Sequence, residues 1–129
     1  MHGPSLPRLK GAFKISPYPT SHGLQYRLGT LWAELEKTRQ FVYQAARQAD
    51  AGAPEALLAV MSAKADVCEC TVRVVNEAMT LMGGIGYRDH GRMGRHLRDV
   101  RAAHVMSPTT DLLRLWAGRA LLGQPLLAE

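Results

Sequence analysis

The sequence predicts an all-α fold, an antiparallel helical bundle of about four helices. Three observations carry that expectation. Apolar residues recur at steps of three, four and seven along two long stretches, which is helical spacing. The breaks between stretches are short and hold glycine, proline or a capping residue. No segment alternates apolar and polar residues as a half-buried strand does, and no internal repeat is present. Short links between long helices make sequential helices antiparallel neighbours.

Residues 1–19 read as an irregular leader. Pro4, Pro7, Pro17 and Pro19 lack a backbone donor and fix φ, which disfavours both helix interior and central strand. The bundle domain is expected over 20–123 and a C-terminal tail over 124–129. A first helix begins at Thr20 or Ser21, either of which can cap it. Leu24, Leu28, Leu31, Leu35, Val42, Ala45 and Ala49 form its apolar stripe, and Asp50-Ala51-Gly52-Ala53 ends it. The second helix runs from Pro54, a good first-turn residue, to Met82. Leu57, Met61, Lys64, Cys68, Val75, Met79 and Met82 mark its inner face, and Gly83-Gly84 terminates it. A third helix covers Gly91 to Val105. The fourth opens at Ser107-Pro108, serine as cap and proline in the first turn, and reaches Gly123.

Composition narrows the function classes. The chain has 129 residues, 47% of them hydrophobic and 21% charged, which suits one small globular domain. No apolar run approaches the ~20 residues that cross a bilayer, and the N-terminal residues do not start a signal peptide, so no membrane role and a cytoplasmic location are expected. Cys68 and Cys70 diverge by roughly 200° on a helix, so a disulfide between them is not expected; Cys68 reads as buried and Cys70 as surface. No zinc-type spacing surrounds them and no histidine pairing supports a metal. The net charge of +5 concentrates in Arg88, Arg92, Arg95, Arg98 and Arg101, Arg114 and Arg119. No aromatic residues interleave with them, and no helix-turn-helix pattern accompanies them, so nucleic acid is not the expected partner.

Three motifs follow one another: Met82-Gly83-Gly84-Ile85-Gly86-Tyr87, then Arg95-x-x-Arg98-Asp99-Val100-Arg101, then Ser107-Pro108-Thr109-Thr110-Asp111. In order and spacing they resemble the C-terminal helical domain of the acyl-CoA dehydrogenase family, over about Leu24 to Leu122. The family's N-terminal helical domain and middle β-domain have no counterpart among these residues, nor does most of the first helix of its bundle. The resemblance implies FAD as cofactor, in a complete or partnered assembly. It assigns Gly83 and Gly84 to the diphosphate and adenosine portion of a flavin held mainly by a neighbouring subunit. It places Thr109 at a flavin contact and Asp111 where the family has a polar or acidic residue. Thr80 stands where the family often has a glutamine that touches the cofactor. The Arg98-Asp99-Val100-Arg101 group is expected to anchor helices to each other through ion pairs.

Ser107 occupies the position of the family's catalytic glutamate. A carboxylate can remove a substrate α-proton near neutral pH, whereas a serine hydroxyl needs a neighbouring base; His104 is the one candidate within a turn. The catalytic residue is therefore left open. The Ser-Pro-Thr-Thr-Asp variant resembles the family's oxygenase-type branch, which uses reduced flavin and oxygen. Three functions follow as expectations. One is a truncated dehydrogenase-like subunit that adds part of a flavin and acyl site to an oxidoreductase complex, completed by a separately encoded flavoprotein subunit. The second is a flavin-free, repurposed bundle that binds or converts a hydrophobic or acyl small molecule in a biosynthetic pathway. The third is a non-catalytic oligomerisation scaffold. An exposed apolar groove, and hence a homo-oligomer, is expected on each reading.

Overall fold

Ser21 opens the first helix because its hydroxyl oxygen accepts the Leu24 N–H at 3.2 Å, satisfying one of the orphan donors of the first turn. The computed structural model describes residues 21–127, and the leader expected over 1–19 lies outside them. Helix α1 spans His22–Asp50, α2 spans Ala56–Met82, α3 spans Arg92–Val105 and α4 spans Thr110–Leu121. A 3-10 turn, Gly83–Ile85, follows α2. No strand occurs among the described residues, so the all-α, four-helix architecture is as expected.

Helix α2 is the hub. It packs against α1 on one side and against α3 and α4 on another. Two stripes of its sequence account for this. Met61, Ala65 and Cys68 face α3 and α4, where Met61 and Ala65 join Leu113 in the core, with Trp116 and Leu126 packed against them. Ala63, Asp66, Cys70, Arg73 and Glu77 fall on the α1 side at steps of three and four. Cys70 is therefore buried, contrary to the surface position expected for it. The angular argument against a disulfide holds for a helix covered on two sides, because both thiols are free.

The α1–α2 seam is largely polar. Thr38 Oγ1 donates to Asp66 Oδ2 at 2.7 Å, Arg73 meets Glu34 at 3.1 Å, and Arg27 meets Glu77 at 3.9 Å. Only Thr38 and Ala45 of α1 are fully buried, while Val42 and Ala49 of the expected stripe are exposed. Leu57 and Met82, expected on the inner face of α2, are also exposed.

Gly83 ends α2 with φ 61° and ψ −146°, a combination that side chains disfavour, and its N–H donates to Thr80 O. The fourth helix begins later than its sequence suggested. Its cap is Thr109, whose Oγ1 accepts the Leu112 N–H at 3.4 Å, and Ser107-Pro108 stand before it in the connection, joined by a cis peptide bond. Beyond α4, Arg119 Nη1 donates to Leu126 O at 2.9 Å, which brings the C-terminal segment back onto the core.

Candidate functional site

Four residues, Met106 to Thr109, join α3 to α4, and two side chains of α2 one turn apart hold them. Lys64 Nζ donates to Pro108 O at 2.8 Å and approaches Met106 O at 3.5 Å. Cys68 fastens the end of α3: its Sγ donates to Ala103 O at 3.4 Å, and its own carbonyl lies 2.9 Å from His104 Nε2. A carbonyl only accepts, so Nε2 carries the proton. In the neutral ring Nδ1 is then an acceptor, and the Thr110 hydroxyl lies 3.2 Å from it. With both ring nitrogens engaged, His104 is not available to activate Ser107, and the serine–histidine dyad is excluded. Ser107 is exposed and has no hydrogen-bond partner among the described residues.

This connection forms the rim of an open hollow of about 300 Å³ lined by Arg101, His104, Val105, Thr109, Thr110 and Asp111. Its floor is hydrogen-bonded and its walls carry one cation and one anion. Neither Arg101 nor Asp111 has an ion-pair partner among the described residues. The start of α4 adds unpaired backbone N–H groups and the positive end of the helix dipole, which Asp111 in the first turn offsets. The set offers donors and acceptors for a hydroxylated ligand. Its hydroxyl–histidine pair is Thr110 with His104, the threonine buried, and no metal-ligating cluster occurs among the described residues.

The Gly83-Gly84 turn lies elsewhere. Gly83 stands fifteen positions after Cys68, just past the end of α2, or ~22 Å at the helical rise, so one chain does not bring Gly83 and Gly84 together with Thr109 and Asp111. The glycines of that turn differ. A Cβ on Gly86 would stand 2.9 Å from both Met79 O and Met82 Cβ, so Gly86 is required by the fold. A Cβ on Gly84 would meet nothing within 4 Å, and its φ is not left-handed. Its backbone is thus bare and exposed with no internal reason, the surface a large ligand needs for close approach. Ile85 and Tyr87 beside it are exposed at 64% and 82%. Thr80, in the glutamine position, directs its hydroxyl to Asn76 O at 3.2 Å and so back along its own helix.

The arginine motif does not bridge helices. Asp99 pairs with Arg95 one turn earlier in α3 at 3.6 Å, both side chains well exposed. Besides the two ion pairs between α1 and α2, helices are joined by Arg114 of α4 and Glu69 of α2, at 2.8 Å and 3.4 Å through two guanidinium nitrogens. Its hydrogen bond to Glu69 raises the Arg114 pKa above the ordinary value, against a smaller desolvation effect. A raised cation pKa adds stability that is lost only as pH climbs through the folded value, here beyond any working range, so this arginine brings no pH dependence near neutrality.

The resemblance set Thr109 and Asp111 near a cofactor; the structure puts both in the lining of this hollow, and sequence reasoning missed Lys64 and Cys68, which fasten the connection beside them. Lys64 was legible only as a charged residue on an otherwise apolar stripe, which is the signal that it has a specific partner.

Comparison with known proteins fits this geometry. Residues 14–122 match the family described as acyl-CoA dehydrogenase, C-terminal domain. The short-chain specific acyl-CoA dehydrogenase of Megasphaera elsdenii is 29% identical over 99 residues, 77% of this chain and 26% of that protein. The 3-sulfinopropanoyl-CoA desulfinase of Paraburkholderia xenovorans is 31% identical over 110 residues, 85% of this chain and 28% of that protein. A chain in the solved structure concerning the electron transferring flavoprotein of Acidaminococcus fermentans superposes with a TM-score of 0.74 at 26% identity, over 80% of this chain and 27% of that one. The chain spans about a quarter of the length of the curated relatives it matches. Helices, glycine turn and capped connection all fall within the matched residues, and the chain belongs to the acyl-CoA dehydrogenase family, as its C-terminal helical domain.

Proposed function

We propose that the chain contributes part of a flavin and acyl site to an acyl-CoA dehydrogenase-like oxidoreductase, with the other walls supplied by a separately encoded flavoprotein subunit and by a second copy of this chain. The observation that carries this reading is Gly84, a bare and exposed glycine that the fold itself does not require. On this reading Gly83 and Gly84 take the diphosphate and adenosine part of FAD held mainly by a neighbouring subunit. Thr109 and Asp111 take hydroxyl groups at the other site, since a carboxylate accepts hydrogen bonds from hydroxyls and repels phosphate. The two sets lie at separate places on the chain, and on this reading they serve two different flavins, which supports a homo-oligomer. When bound, the flavin would supply the redox chemistry, and this chain would bind and orient.

Ser107 gives the chain no carboxylate base at the family position, so the reaction favoured is one that needs no α-proton removal from this residue. The relative named as a desulfinase is in keeping with acyl-CoA chemistry of that wider kind. The same serine, with the exposed apolar face of α1, supports a second reading: a flavin-free bundle that binds a hydrophobic small molecule.

The deciding experiment is the absorption spectrum of the purified chain before and after FAD addition, with its mass in solution, alone and co-expressed with candidate flavoprotein subunits. A flavin band that survives desalting in any of these assemblies supports the first reading. A stable oligomer that holds no flavin in all of them favours the second.

A further inference from the structure

We propose that Lys64 is the positioning residue of the α3–α4 connection, the group that sets the path of the backbone through Ser107 to Thr109, which lines the hollow. Its effect on a ligand rests on the function proposed above; its effect on the loop does not.

The backbone of this connection is anchored only at its ends. Met106 N–H donates back to Ala102 O, and Thr109 O accepts the Leu113 N–H. Between those points Pro108 has no N–H, and the Ser107 and Thr109 N–H groups have no partner among the described residues. Four linking residues with so few internal bonds would sample several paths. The two carbonyls that flank Ser107, those of Met106 and Pro108, both face the Lys64 ammonium. Fixing the Met106 carbonyl sets the peptide that enters Ser107, and fixing the Pro108 carbonyl sets the peptide that enters Thr109.

The location of Lys64 argues that this is its task. It lies on the inner face of α2, between Met61 and Cys68, where Met61, Ala65 and Cys68 are all buried. An ammonium group half-withdrawn from water there is unfavourable unless its donors find acceptors. No carboxylate pairs with it among the described residues. Its partners are backbone carbonyls of the connection, so its charge is used on loop geometry. Cys68, one turn along, holds Ala103 and His104, and His104 holds Thr110. The connection is thus clamped on both flanks from one helix face, with Lys64 alone reaching its middle.

The test uses the full chain with Lys64→Met and Lys64→Arg. Amide hydrogen exchange at Met106, Leu112 and Leu113, the hydrogen-bonded amides that flank the connection, should quicken about tenfold in Lys64→Met, as expected for losing a hydrogen bond to a charged group. Exchange across α1 should stay unchanged. Lys64→Arg, which can still donate to two carbonyls, should restore slow exchange to within about twofold. Unchanged exchange in Lys64→Met, or equal quickening in both variants, overturns the proposal. Should Lys64→Met fail to fold, acylation of the unaltered chain decides: Lys64 should label about tenfold more slowly than the exposed Lys37, and equal rates overturn the proposal. FAD titration is read separately. Weaker FAD binding by Lys64→Met with rescue by Lys64→Arg supports the role toward the ligand. Absence of FAD binding by the unaltered chain in every assembly defeats the proposed function and leaves the exchange result to judge Lys64.

Discussion

Gly84 and Gly86 stand two positions apart in one turn and answer to different constraints. A methyl group on Gly86 would meet a backbone oxygen and a β-carbon at 2.9 Å, neither of which can swing aside. Gly86→Ala should therefore destabilise the chain by about 1–3 kcal/mol, the range for overpacking a filled site. Gly84→Ala meets open space and should leave stability unchanged or raise it by about 0.4–1 kcal/mol through the unfolded state. Urea denaturation separates the two, and equal losses in both would refute the distinction. If Gly84 is bare for the sake of a flavin, Gly84→Ala should also weaken FAD binding where Gly83-Gly84 is presented to a partner's cofactor. The motif itself was legible in the sequence. Which of its glycines serves the fold was not, because that depends on Met79 and Met82 folding back over the turn. The role of His104 was equally hidden: its partners, Cys68 and Thr110, are thirty-six residues before it and six after it.

Helix α4 shows how far local rules reach. Serine followed by proline is a strong start signal, and it pointed to Ser107. The structure uses the threonine two positions later, where the hydroxyl meets the Leu112 N–H. The proline instead gives its carbonyl to Lys64, a tertiary contact that no window around residue 107 contains. Thr109→Ala should therefore cost about 1 kcal/mol through loss of the cap, while Ser107→Ala, at an exposed unbonded site, should stay within about 0.5 kcal/mol of the parent. Thermal unfolding of the two variants checks this, and the reverse order would restore Ser107 as the cap. Helix α2 carries the same lesson. Its length, its termination at Gly83 and one inner face were readable from periodicity. The second buried face, with Cys70, was not, because a helix covered on two sides mixes two stripes that a single-face reading treats as one.

At the scale of the whole molecule, the direction of α1 is the feature that most constrains assembly. Leu24, Leu28, Leu31, Leu35, Val42, Ala45 and Ala49 form the apolar stripe the sequence displays. The residues aimed at α2 centre on Arg27, Glu34, Thr38 and Ala45, roughly 55° from the centre of that stripe at 100° per residue. Thus α1 meets α2 largely through ion pairs and a hydroxyl–carboxylate bond, its leucines stay half-buried, and the outward side of the stripe adjoins exposed aromatics. Trp32, Val42 and Tyr43 are exposed at 56%, 38% and 52%. A contiguous face of that kind is a contact surface rather than scattered surface residues. If a second copy of the chain covers it, replacing Trp32 and Val42 by glutamine should lower the mass in solution, measured by light scattering, without loss of helicity. Glutamine is a good helix former, and neither site is buried, so each change should move the stability of the isolated chain by no more than about 0.5 kcal/mol. A lower mass with intact helices would place the self-contact on α1. An unchanged oligomer would assign the contact to another face and leave α1 for the flavoprotein subunit, whose capture should then be lost in the same variant.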